Sequence, residues 1–313
     1  MFSATACIIF LTALSGVTAL PFSELVRSLP TDISHIAVDE AKGHYLAFKR
    51  DGSLYGRYQV DAESSGVERR ADASQCAQLS VAEAQTIPGW NAIVQYANSN
   101  WGSGSRNIVT NPTDYVDRPA QVCITDDVVQ LSYSGDPVCQ THTTTSQGSL
   151  VGTAGEVDIE VDQGFTSDSS YTVSSASTIG VSNTLSVKIG VPEVAEVTEA
   201  LTISASVTDT TSSTFKVSQD DTSKVTIKMT APQGKTCTAV TSTKTCNIQA
   251  TGQIRYLATG WIWFNYDSAT QGHYKWAVNI EAVLTNQDDR SSFATFKGSM
   301  VANTETSYAG SCQ

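Results

Sequence analysis

The chain has 313 residues, 40% of them hydrophobic and 16% charged, and 19 Lys and Arg stand against 31 Asp and Glu for a net charge of −12. Phosphate backbones and anionic headgroups are held by clustered Lys and Arg, so this balance excludes nucleic acid as an expected partner. It leaves apolar or receptor-led contact as the route to a membrane.

The amino terminus, MFSATACIIFLTALSGVTALP, is an apolar run that ends in small residues near Ala19 and Leu20. It is too short and too interrupted by Ser and Thr for a membrane anchor, and residues 1–20 are read as a secretory signal peptide. Two dibasic pairs follow, Lys49–Arg50 and Arg69–Arg70. The second, in GVERRADASQC, precedes small polar residues and resembles the kexin-type processing sites of fungal secretory proteins. That resemblance implies a propeptide over residues 21–70, set aside from the fold, and a mature chain starting at Ala71. Two surface basic pairs are the plainer alternative. Beyond Arg70, 12 Lys and Arg face 23 Asp and Glu, so the acid bias survives processing.

Cys7 leaves with the signal, and Cys76, Cys123, Cys139, Cys237, Cys246 and Cys312 remain. An even six in an oxidising compartment favours up to three disulfides. The stretch KTCTAVTSTKTCN reads as two strand ends closing on a short turn, which pairs Cys237 with Cys246 and leaves Cys76, Cys123, Cys139 and Cys312 open. No CxxC occurs, so a zinc site is not expected.

Helical character is confined to residues 71–105, in SVAEAQTIPGWNAIVQYANSNWG, with a break at Pro88–Gly89. From about residue 120 onward, alternating Val, Ile, Thr, Ser and Tyr are punctuated by turn signals such as SYSGDP, TAGE and APQGK. The expected fold is therefore mainly β: an elongated antiparallel β-sheet protein with a small amino-terminal helical or mixed region. Glu156, Asp158, Glu160 and Asp162 share one face of a strand. They read as a cation site, a ladder that separates neighbouring chains, or a solvated face, and residues spaced along one strand do not converge on an ion.

Residues 181–209 alternate most regularly. Val181, Leu185, Val187, Ile189 and Val191 share one face; after a break at Pro192–Glu193, Val197, Leu201, Ile203, Ala205 and Val207 repeat it. Ser, Thr and Lys188 occupy the opposite faces. Two such runs around a proline break predict a hairpin with one buried face. Farther on, Trp261, Trp263, Tyr274 and Trp276 lie in TGWIWFNYDSATQGHYKWAV, a hairpin with aromatics on both faces. One face is expected in the core, and the other leaves these residues as a possible surface for glycan or lipid headgroups.

Only His142 and His273 follow Arg70, and neither a G-x-S-x-G elbow nor an H-E-x-x-H helix occurs. No catalytic residue, metal or cofactor is expected, and the protein is not read as an enzyme.

The strand series SSYTVSSASTIGVSNTLSVKIG, VTEALTISASVTDTTSSTFKVS, SKVTIKMTAPQGK and CNIQATGQIRYLATGWIWF resembles the pore-forming module of aerolysin-like β-pore-forming proteins, over residues 151–264. The resemblance implies a toxin or defence protein that oligomerises on a target membrane or glycan receptor and inserts its amphipathic hairpin. It divides the mature chain into a mixed α+β region, 71–150, and a Ser/Thr-rich β module, 151–313. It departs from the family in lacking a recognisable lectin repeat and in placing its processed segment at the amino end. A non-lytic β module that binds glycan through the aromatic surface is the alternative. Both readings place the protein outside the cell.

Overall fold

The computed structural model describes residues 29–30, 32–59, 76–115, 118–125, 127–149, 154–180, 184–191 and 201–313. Residues 1–20, read as a signal peptide, Arg69–Arg70 and the hairpin tip around Pro192–Glu193 lie outside the described residues.

Three strands come first: β1 (Ile33–Asp39), β2 (His44–Lys49) and β3 (Leu54–Gln59). A short strand, β4 (Cys76–Gln78), leads to helices α1 (Val81–Ala84) and α2 (Trp90–Trp101). Next come β5 (Arg106–Val109), β6 (Ala120–Ile124), β7 (Val129–Gln130), β8 (Ser132–Ser149) and β9 (Gly155–Ser175). The pair β10 (Thr184–Val191) and β11 (Leu201–Thr208) precedes β12 (Thr214–Ala231), β13 (Thr236–Thr270) and β14 (His273–Asn279). A single helical turn, α3 (Ile280–Val283), and β15 (Ser291–Cys312) complete the chain. The molecule is mainly β, as the Ser/Thr-rich alternation predicts.

Strand β13, 35 residues long, organises the sheet. Its first part pairs with β15 on one side and β8 on the other; its last part pairs with β14, β5 and β6. The order across the main sheet is β12-β9-β15-β13-β14-β1-β2-β3. The change of partners falls at Gly260, where φ is 90° and a Cβ would stand 2.2 Å from the Pro119 carbonyl oxygen. Only glycine allows that backbone approach. Its N–H donates to the Glu281 carboxylate at 3.0 Å.

The helices sit where the sequence places them. Ser80 and Glu83 form a capping box at α1, and α2 buries Ile93, Ala97 and Trp101, four residues apart on one face. Trp101 stacks on Trp276 at 4.9 Å, which fixes α2 to the sheet beside β14.

One sequence-based expectation needs correction here. Cys237 and Cys246 are not bonded to each other, because both lie on β13, and nine residues of strand separate them by about 30 Å. The disulfides are Cys76–Cys123, Cys139–Cys246 and Cys237–Cys312, each joining residues directly opposite in a ladder. The second and third staple β8, β13 and β15 into one cross-linked unit. Residues 33–59, part of the segment read as propeptide, form three strands of the main sheet, with β1 between β14 and β2.

Candidate membrane-inserting hairpin

Strands β10 and β11 pair antiparallel from Thr184↔Thr208 to Val191↔Leu201. The register puts Leu185 opposite Val207, Val187 opposite Ala205 and Ile189 opposite Ile203, and all six side chains are buried, as is Val191. Ser186 faces Ser206, Lys188 faces Ser204, and the Thr184 and Thr208 hydroxyls meet at 3.0 Å. The alternation read from sequence is thus the hairpin's cross-strand pattern, with one side apolar and the other polar. Leu201 pairs with Val191 in the backbone, while Val181 and Val197 lie outside the described residues, with the tip acids Glu193, Glu196 and Glu199.

The apolar side packs on the long strands. Leu185, Val187, Ile189, Ile203 and Val207 share one core with Tyr171 and Val173 of β9, Phe215 and Val217 of β12, Ile248 and Ile254 of β13, and Phe296 and Met300 of β15. Yet among the described residues the hairpin has no ladder with those strands. Its backbone pairs within a separate three-stranded sheet, β11-β10-β7, whose third member is the two-residue β7. Side-chain packing holds it, and packing is non-directional.

At its root the chain is clamped. The buried Asp209 carboxylate accepts from the Ser177 N–H at 3.0 and 3.2 Å and from the Ser177 hydroxyl at 2.5 Å. A Cβ at Gly180 would lie 2.5 Å from Asp209 Oδ2, so glycine admits the carboxylate. Burial raises the Asp209 pKa, and the Ser177 hydrogen bonds oppose that rise. Burial, and then the Asp209 charge, push the Tyr256 hydroxyl upward. Thr178 adds a second root contact, its N–H donating to the Ser292 hydroxyl at 2.8 Å.

The aromatic surface is corrected by burial. Trp261, Trp263 and Trp276 are 7%, 0% and 1% exposed, and only Tyr274, at 49%, faces solvent. Trp263 stacks on Tyr115 at 4.9 Å and donates from Nε1 to the Arg118 carbonyl at 2.9 Å. Residues 33–59 supply most of the cover over Trp261 and Trp263: Ile33, Ile36, Val38, Tyr45 and Ala47 form one core with them. Setting that segment aside is what left the tryptophans open in the sequence reading. The acidic strand face is exposed, and β12 sets Lys224 opposite Asp162 and Lys228 opposite Asp158. Lys224 reaches Glu160 at 3.6 Å. Among the described residues no group of three or more His, Cys, Asp or Glu is placed to hold a metal ion.

No protein-family model and no curated protein matches the chain. Among solved structures it is similar to the parasporin-2 toxin of Bacillus thuringiensis, at 16% identity and a TM-score of 0.36 over 74% of this chain and 93% of that one. It is also similar to the Mpp75Aa1.1 β-pore-forming protein of Brevibacillus laterosporus, at 15% and 0.34 over 76% and 90%. A third likeness is a non-toxic crystal protein from Bacillus thuringiensis, at 15% and 0.36 over 76% and 97%.

Proposed function

We propose that the protein is a secreted aerolysin-like β-pore-forming protein that assembles into a ring on a target membrane or glycan receptor and inserts the hairpin of residues 178–208. The carrying observation is the way the hairpin is attached. It is amphipathic in register and buried by its apolar face, but among the described residues has no backbone ladder with the main sheet. Leaving costs it apolar burial, which lipid can replace, and few directional bonds.

A tilted strand spans the hydrocarbon core with about 9 to 11 residues. The described strands contribute eight each, and residues 192–200 join them. In a barrel, Leu185, Val187, Ile189, Ile203, Ala205 and Val207 face lipid, while Thr184, Ser186, Lys188, Ser204 and Ser206 line the lumen. One hairpin has unpaired edges and cannot cross alone, so several copies must close the barrel. The stapled strands β8, β13 and β15 serve as the fixed body. Processing after Arg70 and passage through an oxidising secretory route complete the reading.

The test is dye release from liposomes by the secreted, processed protein, followed by imaging of the same membranes. Leakage with ring-shaped particles supports the proposal. Folded protein that binds the membranes but neither leaks dye nor forms rings overturns it.

A further inference from the structure

Residues 33–59 are joined to the rest of the protein in an unusual way. Strand β1 is interior to the sheet, and all six residues from Ile33 to Val38 are buried. They enter two cores: Ile33, Ile36 and Val38 lie with Trp261 and Trp263, while Ala37 lies with Trp101 and Trp276. His35 stacks on Phe48 at 4.9 Å, and its Nδ1 is 2.8 Å from the Tyr96 hydroxyl of α2.

Polar contacts pin the remainder. The Arg50 guanidinium donates to the carbonyls of Ala282 and Val283 on α3, the Val38 carbonyl meets His273 Nδ1 at 3.0 Å, and Lys275 pairs with Glu40 at 3.2 Å. No cysteine occurs between Cys7 and Cys76, so no disulfide can tie this segment down. Its one covalent link to the body runs through residues 60–75, which contain Arg69–Arg70.

The other dibasic pair is held in a turn. Lys49 and Arg50 open the turn between β2 and β3, where the Gly52 N–H donates to the Lys49 carbonyl at 3.0 Å, and the Arg50 side chain is already engaged. A protease that reads a dibasic pair needs it extended with both side chains free.

We propose that residues 33–59 form a separate, non-covalently held chain of the processed protein, the permanent occupant of the β14 edge. Accepting the processing reading at Arg70, water adds across the Arg70–Ala71 peptide bond, leaving a carboxylate on Arg70 and an amine on Ala71. The cut removes no ladder bond and no buried contact of β1. Departure of the segment would bare the β14 edge and the cover of Trp263 together, and open edges pair with whatever strand is available. The surface fits a partner of one chemistry: an apolar strand with small or β-branched side chains on both faces and a cation at its end for the α3 carbonyls.

The experiment replaces Arg69–Arg70 in the full secreted chain by the recognition sequence of a site-specific protease, so that it does not depend on which protease acts in the natural host. After cutting, native mass spectrometry and size exclusion should recover a complex of the uncut mass plus one water. A denaturing gel without reductant should resolve two fragments. In the cut protein, Arg50→Ala should speed loss of the small fragment about tenfold, the effect of losing hydrogen bonds to a charged group. Recovery of the large fragment alone overturns the proposal, as does an Arg50→Ala fragment that leaves no faster than the parent's. Amino-terminal sequencing of the natural secreted protein tests Arg70 processing separately: Ala71 together with a second, earlier amino terminus fits both readings, and Pro21 alone refutes processing while leaving the engineered cut decisive.

Discussion

Residues 33–59 and the hairpin of β10 and β11 are both small antiparallel units that bury one set of apolar side chains against the rest of the molecule, and neither carries a disulfide. They differ in how they are attached. The first continues the main sheet edge to edge through β1 and β14; the second lies on the sheet face and, among the described residues, pairs with the body only through the two residues of β7. Edge attachment must be replaced bond for bond, because each freed N–H and C=O needs a partner. Face attachment is replaced by any apolar medium. On the proposed reading, the hairpin is the part that moves and residues 33–59 are the part that stays.

Ile36 and Ile189 give the sharpest contrast, since both are 0% exposed and one sits in each unit. Ile→Ala at either should lower unfolding stability by about 3 kcal/mol. The functional outcomes should diverge. Much of the cost at Ile189 is a cavity in the docked state that fluid lipid would fill, so Ile189→Ala should leak dye faster than the parent once folded, whereas Ile36→Ala should not. Equal leakage from the two would break the comparison.

The edge-attached unit should also respond to acid. His35 has its pKa lowered from 6.5 to about 4 by burial among Phe48, Tyr96, Trp101 and Trp276, with His273 behind the Trp276 ring. The undocked form therefore binds the extra proton between those values. Docking keeps its full strength above pH 6.5 and weakens as pH falls towards 4, by about 3 kcal/mol in all. In thermal unfolding, the stability of the parent relative to His35→Phe should fall steadily from pH 7 to pH 4.5. A constant gap would remove His35 from the account.

Smaller effects belong to the hairpin root. Gly180→Ala puts a methyl against Asp209 and should displace the carboxylate from Ser177, at about 1 to 2 kcal/mol. Stability should fall by that amount while the leakage rate rises. Smallest is the exposed Lys224–Glu160 pair: Lys224→Ala should change stability by less than about 1 kcal/mol, measured by denaturant titration.

The hairpin was legible because its period of two runs unbroken from Leu185 to Val191 and again to Val207, and a strand with one buried face can do little else. The helices were legible from the Pro88–Gly89 break and the spacing of Ile93, Ala97 and Trp101. The disulfides were not. TSTK between Cys237 and Cys246 has the polarity of a turn, but Thr and Ser also sit well in strands, and here β13 passes straight through it; the true partners are 75 and 107 residues away and meet only through register. Core packing of the aromatic hairpin was expected, but what covers Trp263 and Trp276 was hidden for another reason. Their cover comes from β1 and β2, in a stretch read from sequence as propeptide, and a dibasic pair carries no information about what its upstream segment packs against.

The central claim is that the hairpin must leave its resting place on the sheet for the protein to act on membranes. Ile189 of β10 lies beside Val129 of β7, and Val129→Cys with Ile189→Cys would bolt the hairpin to the body at that pair. Thr184→Cys with Thr208→Cys would lock the hairpin's two strands only to each other. Dye release from liposomes should be abolished by the first bond, preserved by the second and preserved in each single-cysteine variant, with membrane binding unchanged throughout. If the bolted protein releases dye as fast as the parent, the hairpin does not move and the claim fails.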